Sequence, residues 1–175
     1  MRLPQGYSIA IFGLSGSGKS TVARLLAKEL ELPLRECGDF VREAAKKKQV
    51  AIPDVSEDDH RQIDQETCRW VSEMQGCVVE GRFLDAVLRS IPDQVTMVRL
   101  DATADARASR LSKRSGRDMS AADVRAMDDE DGNFRQKMYK ECLPLAPHIA
   151  LDTSGYGPDE CLSILMTQLF PVPRG

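Results

Sequence analysis

The chain has 175 residues, a formal net charge of −3, and 42% hydrophobic against 29% charged residues, which suits one domain with a proper core and excludes general binding to nucleic acid. Aromatic residues are only 5% of the chain, too few for the stacking platforms of single-strand binders. No apolar run approaches the length of a membrane span.

Taken in chain order, Ile9–Phe12 reads as a short buried strand that starts by Ser8, so no secretory leader is expected ahead of it. Next comes Gly13-Leu-Ser-Gly-Ser-Gly18-Lys19-Ser20, followed by Thr21. Val22 to Leu30 reads as a helix with Val22, Leu25, Leu26 and Leu30 on one face. A strand over Leu34–Cys37 leads into a first insert at residues 39–76, with a helix, the loop Gln49–Glu57, and a second helix over Asp58–Met74. The third strand is Cys77–Val79, followed by Glu80-Gly81-Arg82, and the fourth is Thr96–Leu100, followed by Asp101. A second insert holds a basic helix, a break at Gly116 and an acidic stretch. The fifth strand, Ile149–Leu151, runs into Asp152-Thr153-Ser154, and the tail Pro171–Gly175 is expected to fray.

The five strands are apolar on consecutive residues, as expected where both faces are covered. Alternation with helices predicts an α/β fold: three α/β/α layers around a five-stranded parallel sheet. The expected core is about 1–38, 77–102 and 145–170, with an acceptor-binding insert at about 39–76 and a lid at about 103–144. Ligands bind beyond the C-terminal ends of such strands.

Strand, glycine loop and helix are the setting in which G-x-x-x-x-G-K-[ST] cradles phosphate. Backbone N–H groups from Gly13, Ser15, Gly16, Ser17 and Gly18 are expected to face the phosphate oxygens, aided by the helix N-terminus. Lys19 reaches the phosphates, Ser20 ligates Mg²⁺, and Thr21 follows on the helix. The motif therefore implies a nucleoside triphosphate, taken as ATP, with Mg²⁺. Glu80 is the carboxylate expected nearest the metal, acting through water, with Asp101 second.

Phosphoryl transfer to an anionic acceptor needs arginines on several elements. Arg42 and Arg82 sit at strand ends, and Arg61 lies on the second insert helix, so three guanidinium groups are expected to converge. Asp39 is placed near the acceptor's sugar or base. Arg107, Arg110, Arg114 and Arg117 follow at spacings of three, four and three, one helical stripe that costs stability by like-charge repulsion. Its expected partner is the triphosphate; the alternative is pairing with Asp128, Asp129, Glu130 and Asp131. The odd, scattered cysteines Cys37, Cys68, Cys77, Cys142 and Cys161 predict no zinc site or disulfide framework and fit a cytoplasmic protein. His60 and His148 read as structural. Asp129-Glu-Asp-Gly132 matches D-x-x-G without a preceding strand and reads as chance.

These residues resemble the P-loop nucleoside monophosphate kinases, and CMP/dCMP kinases in particular, through nearly the whole length. Cys37-Gly38-Asp39-Phe-Val-Arg42 is similar to the segment in which an arginine binds the monophosphate. Ile63-Asp64, followed by Val78-Val79-Glu80-Gly81-Arg82, resembles the archaeal-type pattern that faces the acceptor phosphate. The resemblance implies that Arg110 and Arg114 are paired lid arginines, that Asp131 and Arg135 close over the acceptor, and that Thr153 and Ser154 border the donor adenine. The chain departs at Phe83-Leu84-Asp85, where bacterial enzymes put an aspartate directly after the arginine. It also departs at Met127–Phe134, which lacks an arginine the family usually carries. Both lie on the acceptor side, so Asp85 counts among the substrate-binding residues and a modified pyrimidine nucleotide stays open.

The expected protein is a monomeric ATP-dependent kinase of a small nucleotide, engaging neither nucleic acid nor membrane. The alternatives are a P-loop kinase of a nucleoside-like or sugar metabolite, and a non-catalytic nucleotide-binding regulatory module. No [NT]-K-x-D base-reading motif supports a GTPase.

Overall fold

Every residue of β1 (Ser8–Phe12) is buried, because this strand lies at the centre of a parallel sheet covered on both faces. The computed structural model describes residues 7–74 and 76–171. Among them the order after β1 is α1 (Lys19–Glu29), β2 (Leu34–Glu36), α2 (Cys37–Lys48) and α3 (Glu57–Glu73). β3 (Val78–Gly81), α4 (Leu84–Val87), β4 (Val95–Asp101) and α5 (Ala104–Ser115) follow. The chain then forms α6 (Ala121–Tyr139), β5 (Ile149–Asp152) and α7 (Pro158–Leu169). The five strands are all parallel in the order β2-β3-β1-β4-β5.

The side chains of β1 alternate between two cores. Ile9 and Ile11 join Val22, Leu26 and Leu165 from α1 and α7 on one face. Ala10 and Phe12 join Val71, Leu84, Leu88 and Met97 on the other. Phe12 is level with Gly81 of β3 and Arg99 of β4, so the loop leaving β1 starts beside Arg82.

Several boundaries differ from expectation: Cys37 opens α2 instead of closing β2, Glu80 and Gly81 belong to β3, Asp101 and Asp152 close β4 and β5 instead of following them, and α1 starts at Lys19. The acidic stretch folds as the 19-residue α6. Its start is fixed by a reciprocal Ser120–Asp123 capping box, and Val124 and Met127 pack on Ala108 and Leu111 of α5. Gly116, at φ +68°, ends α5 where the break was expected. The expectations about a leader and a frayed tail fall on residues 1–6 and 172–175, outside the described residues. Among the described residues no helix is long and apolar enough to cross a membrane.

Candidate active site

The loop after β1 needs glycine for steric reasons. A Cβ on Gly13, at φ +150°, would come within 2.2 Å of the Leu100 carbonyl oxygen, and one on Gly16, at φ +81°, would press on Arg107. Gly18, at φ +90°, is the left-handed residue from which α1 starts, so the amides of Lys19, Ser20 and Thr21 form the helix N-terminus. The Ser17 hydroxyl is buried without a hydrogen-bond partner, while the Ser15 carbonyl accepts from Arg107 Nε at 2.7 Å. Lys19 Nζ rests on the Leu14 carbonyl at 3.3 Å. Burial holds its ammonium down to about 8, with Glu80 pulling the other way and Arg82 and Arg114 adding to the fall.

Glu80 lies at the end of β3, level with Ile11. Burial pushes its carboxyl up, while Lys19 and the neighbouring Ser20 hydroxyl pull it down. Its Oε2 is buried without a partner. A hydroxyl beside a carboxylate with a free oxygen suits a hard divalent cation that takes its other ligands from water and phosphate. Asp101 instead bonds Arg99 at 2.8 Å.

Beside the loop lies a cavity of about 520 Å³, bounded by Lys19, Arg110, Arg114, Thr153, Tyr156 and Pro158 among others. Arg110 Nη1 donates to Thr153 Oγ1 at 2.8 Å and Nη2 to the Thr153 carbonyl at 2.5 Å. The buried Thr153 hydroxyl donates to the Ser17 carbonyl, tying the last strand to the phosphate loop. Ser154 is not among the lining residues. Its hydroxyl bonds Asp152 and accepts from the Thr103 amide, so it braces the loop. Tyr156 and Pro158 had no motif to mark them.

The four-arginine stripe divides. Arg107 is only 4% exposed and donates both terminal nitrogens to Asp128, at 2.8 and 2.5 Å. It fastens α5 to α6 and does not face the cavity, because α6 brings an acid against that side of the helix. Arg117 lies beyond Gly116, off the helix. Arg110 and Arg114 face the cavity.

The three guanidinium groups expected to converge meet three different carboxylates instead. Arg42 is exposed and bonds Asp39 at 2.5 Å. Arg61 bonds Glu57 at 3.1 Å, one turn back on its exposed helix face. Arg82 donates to Asp131 of α6. Asp131 keeps a second oxygen buried and without a partner, and burial pushes its carboxyl up against the pull of Arg82. Asp85 is gripped by both terminal nitrogens of Arg135, at 3.1 and 2.7 Å. Asp85 and Arg135, taken singly from the sequence, thus form a pair. Lys137 bonds Glu57 at 2.6 Å, and the Tyr139 hydroxyl bonds Asp64 at 2.6 Å. Glu57, Lys137 and Tyr139 were not singled out from the sequence. The recurrence of Asp131, Arg135 and Tyr139 every fourth residue was the available signal.

Burial pushes the Cys37 thiol up to about 12, which leaves no thiolate for chemistry near neutral pH. His148 Nδ1 accepts from the Met97 amide at 2.9 Å, and His60 packs edge-on against Phe134. Residues 129–132 lie inside α6, so the D-x-x-G match carries no loop. Among the described residues no cluster of three or more His, Cys, Asp or Glu residues is arranged to hold a metal.

A glycine loop at the tip of a parallel sheet, with arginines from a following helix beside it, is the architecture of a P-loop kinase. The family described as AAA domain matches residues 9–133. The chain is 32% identical to the cytidylate kinase of Methanopyrus kandleri over 94% of this chain and 93% of that one. It is 28% identical to the cytidylate kinase of Sulfurisphaera tokodaii, over 92% and 94%. A solved gluconokinase from Sinorhizobium meliloti shares the fold at a TM-score of 0.67 and 18% identity, covering 95% of this chain and 93% of its own. The chain belongs to the family of P-loop kinases that includes these cytidylate kinases.

Proposed function

We propose that the protein transfers the γ-phosphoryl group of ATP, with Mg²⁺, to a pyrimidine nucleoside monophosphate, with CMP or dCMP the leading acceptors. The observation that carries this reading is Arg82. It stands at the end of β3, acts on the Lys19 ammonium, and already holds a carboxylate, that of Asp131. A guanidinium that seats one anion beside the phosphate loop is suited to an acceptor phosphate.

In this reading the loop amides and Lys19 bind the triphosphate, while Arg110 and Arg114 bring positive charge to it from the lid. Thr153 positions Arg110. Arg82 and Arg42 bind the acceptor phosphate, Asp39 and Arg61 border it, and the Asp85–Arg135 pair and Asp131 close over the nucleotide. Residues 39–76 form the acceptor insert and 103–144 the lid. Ser20 directly and Glu80 through water would hold Mg²⁺, which supplies charge neutralisation on the phosphates when bound. The protein acts as a cytoplasmic monomer on small molecules.

The test is an ADP-release screen over nucleoside and deoxynucleoside monophosphates, nucleosides and simple sugars. CMP or dCMP should lead. Unphosphorylated nucleosides should be far poorer, because they leave the acceptor-side guanidinium groups unpaired. Comparable turnover of a sugar or nucleoside would overturn the reading.

A further inference from the structure

Three successive carbonyls of the phosphate loop are held from outside it. The Ser15 carbonyl accepts from Arg107 Nε at 2.7 Å, the Gly16 carbonyl from Arg110 Nη1 at 3.3 Å, and the Ser17 carbonyl from the Thr153 hydroxyl at 2.9 Å. These donors belong to α5 and to the loop after β5, both far along the chain. In a planar trans peptide unit the C=O and the following N–H point in opposite directions. A donor behind the Ser15 carbonyl therefore fixes where the Gly16 amide points, and one behind the Ser17 carbonyl does the same for Gly18. Among the described residues those two amides make no hydrogen bond within the chain, whereas the Ser17 amide between them donates to the Leu14 carbonyl at 3.2 Å.

The glycines make such anchors necessary. Turning a peptide unit over changes ψ of the residue before it and φ of the residue after it. Gly16 and Gly18 stand at φ +81° and +90°, and glycine takes negative φ about as readily. The backbone alone therefore has little preference between the two settings of the Ser15–Gly16 and Ser17–Gly18 units. Arg107 is well placed to decide the first. It is 4% exposed, and its terminal nitrogens are fixed on Asp128, which leaves Nε for Ser15. Its backbone lies against the loop, with its carbonyl oxygen 3.1 Å from where a Cβ on Gly16 would be.

We infer that Arg107 and Thr153 are positioning residues for phosphoryl transfer, turning the Ser15–Gly16 and Ser17–Gly18 peptides so that both glycine amides face the phosphates. Arg107 then has two separable tasks: its terminal nitrogens fasten α6, and its Nε sets the loop. The inference rests on the reading of this loop as the triphosphate site and is independent of the acceptor's identity.

The test follows the amide proton NMR signals of Gly16 and Gly18 in the full chain as ADP is added with Mg²⁺. In the wild type both should move downfield, as amides do on donating to a phosphate oxygen. Arg107→Lys replaces a three-nitrogen fork by one nitrogen, so the Gly16 shift should be lost and the Gly18 shift kept. Thr153→Val should do the reverse. Each variant should lower kcat/KM for ATP roughly tenfold to a hundredfold, the effect of one charge-assisted hydrogen bond. Asp128→Asn tests the fastening task alone. It should lower Tm, keep both glycine shifts, and leave kcat/KM for ATP within about threefold. A Gly16 shift that survives Arg107→Lys, or equal losses of turnover in Arg107→Lys and Asp128→Asn, overturns the inference. If Arg107→Lys does not fold, the other two variants decide, and a Gly18 shift kept in Thr153→Val or a Gly16 shift lost in Asp128→Asn overturns it. If ADP moves neither amide in the wild type, the triphosphate reading of the loop falls and the inference with it, a result distinct from wild-type shifts that survive substitution.

Discussion

The guanidinium of Arg82, the first residue after β3, donates to the Asp131 carboxylate of α6. The contact joins the C-terminal end of β3 to the helix that follows the break at Gly116. In the proposed function the acceptor phosphate needs the same guanidinium, so binding has to share or displace this contact.

Arg82→Ala should therefore lower kcat/KM for the acceptor by roughly tenfold to a thousandfold, through loss of charge-assisted hydrogen bonds. ATP affinity should barely change. The substitution also strips Asp131 of its partner and should cost stability of about 1–3 kcal/mol, part of which Arg82→Ala with Asp131→Asn restores. Urea denaturation of both variants against the wild type measures this. Loss of ATP binding with normal acceptor handling would refute the assignment.

Lys19→Ala should abolish transfer with the fold intact, since electrostatic stabilisation of a moving phosphoryl group is worth about 3 kcal/mol or more. Its lowered pKa adds a pH dependence. Burial disfavours the charged form, so the ammonium is half protonated near pH 8 and full only well below it. Phosphate binding favours the charged form, so ATP binding should take up protons near pH 8–9, and affinity should weaken as pH rises through that range. Calorimetry in buffers of different ionisation enthalpy reads the uptake. For the ligand-free chain the sign is opposite. The unfolded lysine, at its ordinary 10.5, binds more protons than the folded one, so this group's contribution to stability improves between about pH 8 and 10.5.

Arg107 and Arg114 belong to the same helix and should behave differently. Arg107→Ala leaves Asp128 and the Ser15 carbonyl without their buried donor and should cost about 3–5 kcal/mol of stability. Arg114→Ala should leave the ligand-free chain equally or slightly more stable and lower kcat, because like-charge repulsion on the helix falls while charge near the triphosphate is lost. Thermal melts and turnover measured together separate the two. A stable Arg107→Ala variant would contradict the fastening role of this ion pair.

Gly132→Ala should stabilise the chain by about 0.5–1 kcal/mol. The residue is exposed inside α6, and a Cβ there meets nothing within 4 Å. Turnover with ATP should stay within about twofold, and a Tm that falls would show that α6 does not continue through this position.

The sequence by itself determined the phosphate loop, the five strands and the stop of α5 at Gly116. These are local properties. Consecutive apolar residues mark a strand covered on both faces, Gly13 to Ser20 is contiguous, and Gly116 stops a helix because left-handed backbone suits glycine. The α6 helix was less legible, because its acids masked a row of charged and aromatic residues facing one way. Only the tertiary structure decided which charges pair. Arg107 and Arg110 look equivalent in the stripe, yet one is buried on Asp128 and the other held by Thr153. Asp85 and Arg135, read as two separate ligands of the acceptor, are partners of each other. An ion pair depends on distance and burial rather than on residue type, and any of several acids could satisfy any of several arginines. The packing of α6 against α5 and the ends of the strands selects among them, and that choice is made by side chains far apart in the chain.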